Sequence, residues 1–385
     1  MTSPAVIGDP LDIPSVEWTL YSAVTRNGRI IAELPFVGVP RWTAALNAAG
    51  TIEVTIPVHQ DMISRSDLRQ AITPWRYSLV LVAGDFVVQA GPIITYGYDE
   101  DSATVSVSAR GLWAMQESRM LLPADTYGQG TSVTDPAADT RLGPLSLRTI
   151  IKRLVQQGET RTAGDLPIVY EPDVPGTSER HYPGYDLANI GERLLDLTQL
   201  QNGPDIEFRP RLTGDRDGVE WVLRTGNPWL TQAGDVHVWD YGEGLMSLSG
   251  DVDGSKMINS VFVAGQGMER GRLVGHRTVD PDPAWPLLEA VITEHSSVTE
   301  RTTLDSYALS YLAMRQLPVE VMSARARSSG PPSLGTFLPG DDGMFTLVNH
   351  FWKPDGDYPL RVLGMGSGQS LNDIALTLAP TQGGL

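Results

Sequence analysis

Apolar and polar residues alternate along the first third of the chain, which is the pattern of half-buried β-strands. The alternation begins at Val16, Trp18 and Leu20. Further strand-like runs lie at residues 51–58, 78–82, 86–98 and 103–110. Asn27-Gly28 predicts a tight hairpin with a type I′ turn, because both central residues of that turn need a positive φ. Short antiparallel strands at this density predict a small barrel or sandwich, with one helix at 61–72.

The spacing of apolar residues then becomes helical. Residues 123–144 are rich in Pro, Gly, Asp and Thr. We expect them to form a long loop with little regular structure, which contacts a neighbouring chain if it is ordered. Helices are predicted in the run 145–158, which Gly158 ends, and at 186–201, the second with Asp186 as its N-cap. Two strands complete an α+β middle region, at 204–212 and 218–226.

Strands return in the last third of the chain, after one more helix. Residues 303–317 have apolar positions at helical spacing, Thr302 and Asp305 suggest a capping box, and Pro318 ends the run. Strand-like runs follow at residues 319–328, 344–348, 358–366 and 372–380. A chain that is β-rich at both ends, with α+β structure between them, suggests two related barrels.

These segments predict a mainly β fold with α+β insertions, in which two small antiparallel β-barrels are linked by a helix-containing middle region. The predicted division is an N-terminal β-barrel at 1–122, a loop or linker at 123–144, the α+β middle region at 145–244 and a C-terminal β-barrel region with one helix at 245–385. The two barrels are expected to share one topology.

Composition narrows the classes of function. The 385 residues include 29 Lys and Arg against 46 Asp and Glu, which gives a net charge of −17. Binding to nucleic-acid phosphates needs a basic surface, so we expect this chain to repel nucleic acid on average. Only three of the basic residues are Lys, which suggests the codon bias of a GC-rich genome. We expect no signal peptide and no membrane span, and the absence of Cys excludes disulfides and thiolate sites.

No local motif predicts an active site. The six His residues stand apart along the chain, and neither a zinc-protease nor a serine-hydrolase motif occurs. Residues 251–254 begin like a calcium loop, but the sixth position, which must be Gly, is Lys256. Gly265-Gln266-Gly267 lacks the third Gly of a dinucleotide-binding loop, because that position is Arg270. We therefore predict no catalytic, cofactor-binding or metal-ligating residue and no enzymatic activity.

We predict that the acidic clusters lie in turns and that most of the tryptophans singled out here lie in the core. The acidic clusters lie at 99–101, 215–217, 341–342 and 355–357. We interpret these clusters as solvated turns rather than as a pair of catalytic carboxylates. The distance between two carboxylates, on which such catalysis depends, cannot be read from the sequence. Three tryptophans on strands or at strand ends are predicted to be core: Trp18, Trp113 and Trp221. Trp285, in a Pro-rich run, is either an interface residue or packs on its own loop.

Several segments, in order along the chain, resemble segments of the tail-tip and baseplate hub proteins of long-tailed phages. The first run, from Pro40 to Val58, contains Trp42, Leu46, Asn47, Gly50 and Pro57. The later ones are residues 203–210, residues 252–267 with Asn259, Val261, Val263, Gly265 and Gly267, and Leu338-Pro339-Gly340-Asp341 followed by Arg361-Val362. Their order carries the resemblance, which is greatest for minor tail proteins of siphoviruses that infect actinobacteria.

The resemblance implies a structural virion protein at the distal tip of a phage tail. It implies a homotrimeric hub that closes the tail tube, contacts the tape measure protein, the distal tail protein and other tail-tip proteins, and opens for DNA ejection. DNA would pass without specific binding, because an acidic passage offers phosphates no cationic contacts. The host envelope would be reached through other tip proteins. The alternative is a tail-associated cell-wall hydrolase or a carbohydrate-binding baseplate component.

Overall fold

A computed structural model describes residues 16–58, 65–123, 132–200, 202–279, 285–295 and 298–381. The fold is mainly β, with 44% strand and 16% helix, as predicted. The first residues of the helix predicted at 61–72, and residues 124–131 of the predicted loop, lie outside the described residues. Within the described ranges, no helix is long and apolar enough to cross a membrane.

The strands and helices are numbered in chain order. The strands are β1 (Trp18–Val24), β2 (Ile30–Leu34), β3 (Val37–Ala45), β4 (Thr51–Pro57), β5 (Tyr77–Ala83), β6 (Phe86–Asp99), β7 (Thr104–Arg110), β8 (Thr140–Leu145), β9 (Ile168–Tyr170), β10 (Ser178–Tyr182), β11 (Ile206–Leu212), β12 (Val219–Thr225), β13 (His237–Asp240), β14 (Leu245–Asp253), β15 (Ser260–Ala264), β16 (Val274–Thr278), β17 (Glu289–Ile292), β18 (Val319–Arg327), β19 (Asp342–Leu347), β20 (Gly356–Ser367) and β21 (Asp373–Pro380). The helices are α1 (Arg65–Ala71), α2 (Trp113–Glu117), α3 (Leu147–Glu159), α4 (Ile190–Thr198) and α5 (Arg301–Arg315).

Strands from both ends of the chain belong to one open sheet, so the two-barrel prediction is not confirmed. The strand order is β14-β18-β21-β20-β3-β4-β7-β6-β5-β1-β2, and β19 joins β13 to β20. The two ends of the chain meet where β3 pairs with β20, with Ala45 opposite Gly364 and Thr43 opposite Gly366. None of the sheets formed by the described residues closes into a barrel.

The chain forms two compact units. The larger unit comprises the residues up to Leu248 and those from Ser323 onward, and the smaller unit comprises Ser249–Met322. In the smaller unit, β15 lies between antiparallel β16 and parallel β17. Helix α5 packs on this sheet, since its buried stripe lies in one apolar cluster with two buried valines of β15. The domain boundaries proposed from the sequence remain predictions.

Helix α5 has the predicted apolar stripe but not the predicted cap. Leu304, Ala308 and Leu312 are buried at helical spacing. The helix begins at Arg301, and Glu300 at the N-cap makes no side-chain capping bond, so the capping-box prediction is wrong. The reason is that Asp305 accepts the backbone N–H of His276 and pairs with a neighbouring Arg on β16 instead.

The first hairpin differs from the predicted two-residue turn. β1 and β2 pair antiparallel, but only Gly28 of the dipeptide Asn27-Gly28 has a positive φ, at 71°. The chain therefore closes through a longer turn, in which Gly28 donates its N–H to the carbonyl of Val24. Gly28 also permits a close approach, because a Cβ there would lie 1.9 Å from the carbonyl oxygen of Val219.

The two middle helices follow their apolar stripes. Helix α3 is confirmed; it begins two residues into the predicted run, where Ser146 accepts the N–H of Thr149, and ends one residue beyond it. Helix α4 is shorter than predicted, and Asp186 is not its N-cap. Leu187 adopts a left-handed conformation at φ 46°, which interrupts the run, and Asn189 caps the helix instead. The buried faces of α3 and α4 pack in one core that includes Trp221, Trp113 and the predicted strand pair β11–β12.

The predicted loop at 123–144 contains more regular structure than expected. Residues 136–138 form a short 3₁₀ turn, with Asp135 accepting the N–H of Ala137. Residues 140–145 form β8, which pairs antiparallel with β10. Residues 136–138 and 140–145 are therefore regular, contrary to the expectation of little regular structure.

Candidate functional site

The histidines lie in separate environments, and His59 lies outside the described residues. His181 contacts Asp139, with Nε2 2.8 Å from Oδ2, and His237 lies 3.6 Å from Asp341. Each of the remaining three contacts a different strand or helix. Among the described residues, no group of three His, Asp or Glu side chains could hold a metal ion.

The residues that resembled known ligand loops form turns. β14 ends at Asp253, and the carboxylate of Asp253 accepts the N–H of Ser255. The sequence that began like a calcium loop therefore forms a tight turn. Gly265 and Gly267 follow the end of β15 and precede a single 3₁₀ turn, rather than the helix of a dinucleotide-binding loop. Trp285 is 44% exposed.

A buried ionic cluster at β11 and β12 was not found from the sequence. Glu207 is 6% exposed and lies 2.5 Å from Nη1 of Arg224 on the next strand. Burial raises the pKa of Glu207 in spite of the nearby guanidinium groups. Burial also lowers the pKa of Arg209 to about 10, and its guanidinium lies over the ring of Phe86 at 4.1 Å. In the sequence, the only sign of this cluster is that Glu207 and Arg209 stand two residues apart on a predicted strand. That spacing places both charged side chains on the same face of the strand.

Two more carboxylates belong to the same buried region. Asp205 pairs with Arg361 at 2.5 Å and accepts the N–H of Leu230. Asp341 accepts the N–H of Leu338, and burial raises the pKa of Asp341 although Arg224 and His237 oppose the shift. Removal of one partner of a buried ion pair is costly, but the pair as a whole adds little stability over well-packed apolar residues. The pocket that borders Glu207 and Arg209 has a volume of only about 10 Å³, which is too small for a substrate, so we assign the cluster a structural role.

The surface of the larger unit displays an aromatic loop, which we define as residues 348–354 between β19 and β20. Phe351 is 92% exposed and Trp352 is 78% exposed. Val348, at the start of the loop, is half exposed. Isolated apolar residues on a surface are ordinary, but two adjacent large aromatic rings at this exposure are typical of an interaction site.

His350 makes three hydrogen bonds that connect the backbone of the aromatic loop to itself and to β14. His350 Nδ1 accepts the backbone N–H groups of Trp352, at 3.3 Å, and of Lys353, at 3.0 Å. Its Nε2 lies 3.2 Å from the carbonyl oxygen of Leu248 and donates to it. These partners require a neutral imidazole that carries its proton on Nε2. The two rings are therefore presented on an ordered backbone.

An open groove lies at another place on the larger unit, between α1 and the hairpin of β6 and β7. Its floor is apolar and consists of Leu68, Ile72 and Val105, each at most 7% exposed. Tyr96 and Tyr98 form one wall, since they are two residues apart on β6 and so point to the same side of the sheet. The volume of the groove is about 520 Å³.

The rim of this groove is acidic. Asp99 and Glu100 lie at the tip of the hairpin, opposite Arg69 of α1. A hydrogen bond from the hydroxyl of Ser102 lowers the pKa of Asp99, so this carboxylate keeps its charge in mildly acidic solution. We call this feature the acidic-rimmed groove. The groove and the aromatic loop are both exposed contact surfaces of a kind suited to binding.

Solved structures of tail proteins share this fold over almost the whole chain. The 43 kDa tail protein of prophage MuSo2 from Shewanella oneidensis is 12% identical, with a TM-score of 0.57 over 94% of this chain and 98% of that one. A tail protein from Neisseria meningitidis MC58 is 13% identical, with a TM-score of 0.52 over 94% and 97%. Prophage tail protein gp18 from Listeria monocytogenes EGD-e is 12% identical, with a TM-score of 0.50 over 95% of each chain.

No protein-family model and no curated protein matches this sequence. What this chain shares with those three proteins is therefore their fold.

Proposed function

We propose that this chain is a structural subunit of a phage or prophage tail and that it lies at the distal tip. The supporting observation is the extent of the structural likeness. Three tail proteins share the fold over at least 94% of this chain and at least 95% of their own length. The likeness is therefore not confined to one common domain inserted in an unrelated protein.

The proposed assembly is a homotrimeric hub that closes the end of the tail tube. It would contact the distal tail protein, the tape measure protein and other tail-tip proteins, and it would open when DNA is ejected. The aromatic loop and the acidic-rimmed groove supply exposed contact surface for such an assembly, since Phe351, Trp352 and Tyr98 are each more than three-quarters exposed.

The charge of the chain suits a passage for DNA. With a net charge of −17, a ring of several copies is strongly acidic. Acidic side chains facing the axis offer the duplex no phosphate contacts, whereas a basic lining would bind it by counterion release. Charges act on DNA mainly within about 8 Å at physiological salt, so the side chains at the wall matter most.

The proposed role is not enzymatic, and the proposed host is an actinobacterium. The buried carboxylates of the larger unit are paired with Arg or with backbone N–H groups, as expected for structural groups. Three Lys residues against 26 Arg fit a GC-rich genome. Contact with the host envelope is assigned to other tip proteins.

The test is to locate the chain in assembled particles. Antibodies raised against the purified chain would be applied to phage particles produced from the genome that encodes it, followed by negative-stain electron microscopy. We expect gold label at the tail end opposite the capsid. Label along the tail tube, label on the capsid, or particles without the chain would contradict the proposal. Degradation of purified peptidoglycan by the chain would instead favour a hydrolase.

A further inference from the structure

We infer that the free edge of β13, together with the aromatic loop, binds an extended segment of a partner protein, and that this segment adds to the sheet as a further strand and carries Lys or Arg among apolar residues. The inference rests on the proposed function only for the expectation that this chain has partner proteins. It goes beyond that function by naming the surface, the mode of binding and the chemistry of the segment that binds there.

β13 is an edge strand of the open sheet. Among the described strands it pairs with β19 alone, in parallel. Tyr241, directly after β13, donates its N–H to the carbonyl of Thr346 on β19. Successive residues of a strand turn their main-chain groups to opposite edges, so Trp239 also bonds to β19, whereas Val238 and Asp240 turn their main-chain groups outward.

The outward main-chain groups of β13 are available to another strand. The N–H and the C=O of Val238 bond to no described residue, and the outward carbonyl of Asp240 accepts only the N–H of Glu243 from the described residues. Val238 is 48% exposed, so solvent reaches this edge. An extended peptide that lies alongside such an edge satisfies its free groups by strand addition, which is a common mode of peptide recognition.

The outer face of β13 is apolar. Val236, immediately before the strand, and Val238 are both about half exposed, whereas the ring of Trp239 between those faces is fully buried. Proteins commonly protect a free edge with Lys, Pro or a bulge. The two valines give no such protection, and an added strand would cover them together with the main-chain groups.

The aromatic loop continues this surface beyond the carboxyl end of β13. Since β13 and β19 run parallel with Asp240 opposite Thr346, the loop that follows β19 begins beside Tyr241. The ring of Tyr241 contacts the imidazole of His350, with centroids 6.3 Å apart and planes at 89°. A strand added along β13 can therefore continue onto the two exposed rings of the loop, each of which can bury about 150–250 Å².

Unpaired carboxylates determine the charge of the segment. Asp235 precedes β13, Asp240 ends it, Glu243 lies in the turn that follows, and all three residues are exposed. Their carboxylates form no ion pair and accept no hydrogen bond from the described residues. Complementary charge favours Lys or Arg in the segment and disfavours an acidic one. A second copy of this chain, with a net charge of −17, is therefore the less suitable occupant.

A synthetic peptide tests the edge on the full chain. The probe has nine residues, in which Val alternates with Thr between a Lys at each end, and it spans about 30 Å when extended. We expect binding in a fluorescence titration, and binding at least about tenfold weaker for the same peptide with Glu in place of both Lys. Equal binding of the two peptides, or binding of neither, would overturn the inference.

Hydrogen exchange distinguishes strand addition from other modes of binding. The bound Lys peptide is expected to slow exchange of the N–H groups of Val238 and Asp240, which face outward. The N–H groups of Trp239 and Tyr241 already face β19, so their exchange should not change. Protection without this alternation, or no protection, would overturn the inference.

A proline on the edge removes the proposed main-chain contact. Val238→Pro deletes an outward N–H, and Pro is tolerated on an edge strand where that N–H faces solvent. It is expected to weaken binding of the Lys peptide at least about 30-fold. Val238→Thr is the matched control, because it keeps the N–H and the β-branched side chain. Equal affinities of these two variants would overturn the inference.

A charge reversal gives an answer even if the proline variant does not fold. Asp240→Lys is expected to weaken binding of the Lys peptide at least about tenfold and to strengthen binding of the Glu peptide. Asp101→Lys, at an exposed carboxylate of the β6–β7 hairpin, is the matched control and should change neither affinity. The same effect in both variants would mean that net charge alone decides binding, which would overturn the inference.

The aromatic loop and the identity of the occupant are tested last. Trp352→Ala is expected to weaken peptide binding at least about tenfold, whereas Tyr185→Ala, at another exposed ring, should not. Self-association of the chain that Val238→Pro abolishes, without peptide binding, would identify a second copy as the occupant and overturn the inference. These measurements use the isolated chain, so their failure leaves the proposed tail-tip location intact, and gold label elsewhere on the particle leaves peptide binding intact.

Discussion

Phe345 and Phe351 lie six residues apart on the same hairpin and have opposite environments. Phe345 on β19 is fully buried, and its ring stacks on Trp239 with centroids 4.7 Å apart and planes within 7°. Phe337 meets the same indole edge to face at 5.0 Å. Phe351, just past the end of β19, is 92% exposed beside the almost equally exposed Trp352.

The difference shows that residue type does not decide the role of an aromatic ring in this molecule. Phe345 lies on a strand with neighbours on both sides, and its period-2 position points into the core. The aromatic loop lies beyond the ladder, where the backbone turns and its own His350 satisfies two of the N–H groups. Burial in the first case stabilises the fold, whereas exposure in the second keeps the rings available for a partner.

The largest effect is expected for the buried indole. Trp239→Ala is predicted to lower the free energy of unfolding by about 3–5 kcal/mol, because it leaves a cavity between Phe337 and Phe345. Trp239→Phe keeps a ring in place and removes an indole N–H that has no hydrogen-bond partner among the described residues, so its cost is expected to be smaller. Chemical denaturation measures both.

The exposed rings provide the matched control for that prediction. Phe351→Ala and Trp352→Ala are expected to change the free energy of unfolding of the isolated chain by no more than about 0.5 kcal/mol. A loss comparable to that of Trp239→Ala would mean that the aromatic loop packs against its own chain. The contrast between core and interface rings would then be wrong.

A second large effect is expected in the buried ionic cluster. Arg224→Met removes the partner of Glu207 and leaves that carboxyl group buried, and we expect a loss of about 3 kcal/mol. Arg211→Met, on the neighbouring surface pair with Glu220, is expected to cost less than about 1 kcal/mol because water screens exposed charges. Equal losses in the two denaturation curves would contradict the difference between interior and surface.

A smaller effect is expected for the residue that orders the aromatic loop. His350→Ala removes three hydrogen bonds at the surface and is predicted to cost about 1–2 kcal/mol. Hydrogen exchange of the N–H groups of Trp352 and Lys353 should become faster. Phe351→Ala keeps the imidazole and should leave that exchange unchanged, so faster exchange in both variants would show that His350 does not hold the loop.

The strands and helices of this fold were largely predictable, and the long-range arrangement was not. The spacing of apolar residues identified α3, the buried stripe of α5 and the strand pair β11–β12. It could do so because the buried face of a single helix or strand repeats at a fixed interval along the sequence. The β3–β20 pairing joins residues more than three hundred positions apart, and no local pattern specifies it. The sequence therefore suggested two separate barrels, where the structure has one open sheet.

The candidate site was missed for a similar reason. Phe351-Trp352 was visible in the sequence between turn-forming residues, but the residue type alone does not say whether an aromatic ring is buried or exposed. The groove depends on α1 packing next to the β6–β7 hairpin, and that contact is tertiary. The capping box predicted for α5 does not form, because the carboxylate of Asp305 accepts a hydrogen bond from β16. Here too a tertiary contact replaces the local one that the sequence suggested.

The last prediction compares two carboxylates whose pKa values shift in opposite directions. Burial raises the pKa of Asp341 in the folded chain, so the stability that this group contributes is present below its unfolded pKa of about 3.9 and is lost as the pH rises through its folded pKa. In Asp341→Asn the side chain cannot ionise and can still accept the N–H of Leu338. Relative to the natural chain, the stability of this variant should therefore improve as the pH rises above about 4.

Asp139 provides the opposite case, because hydrogen bonds from His181, the N–H of Gly184 and Arg141 lower its pKa to about 2. Its contribution is present above about pH 4 and is lost as the pH falls through about 2, so Asp139→Asn should gain relative stability only below about pH 4. Denaturation at a series of pH values checks both signs. A common trend in the two variants would show that these opposite pKa shifts do not control how the two carboxylates contribute to stability.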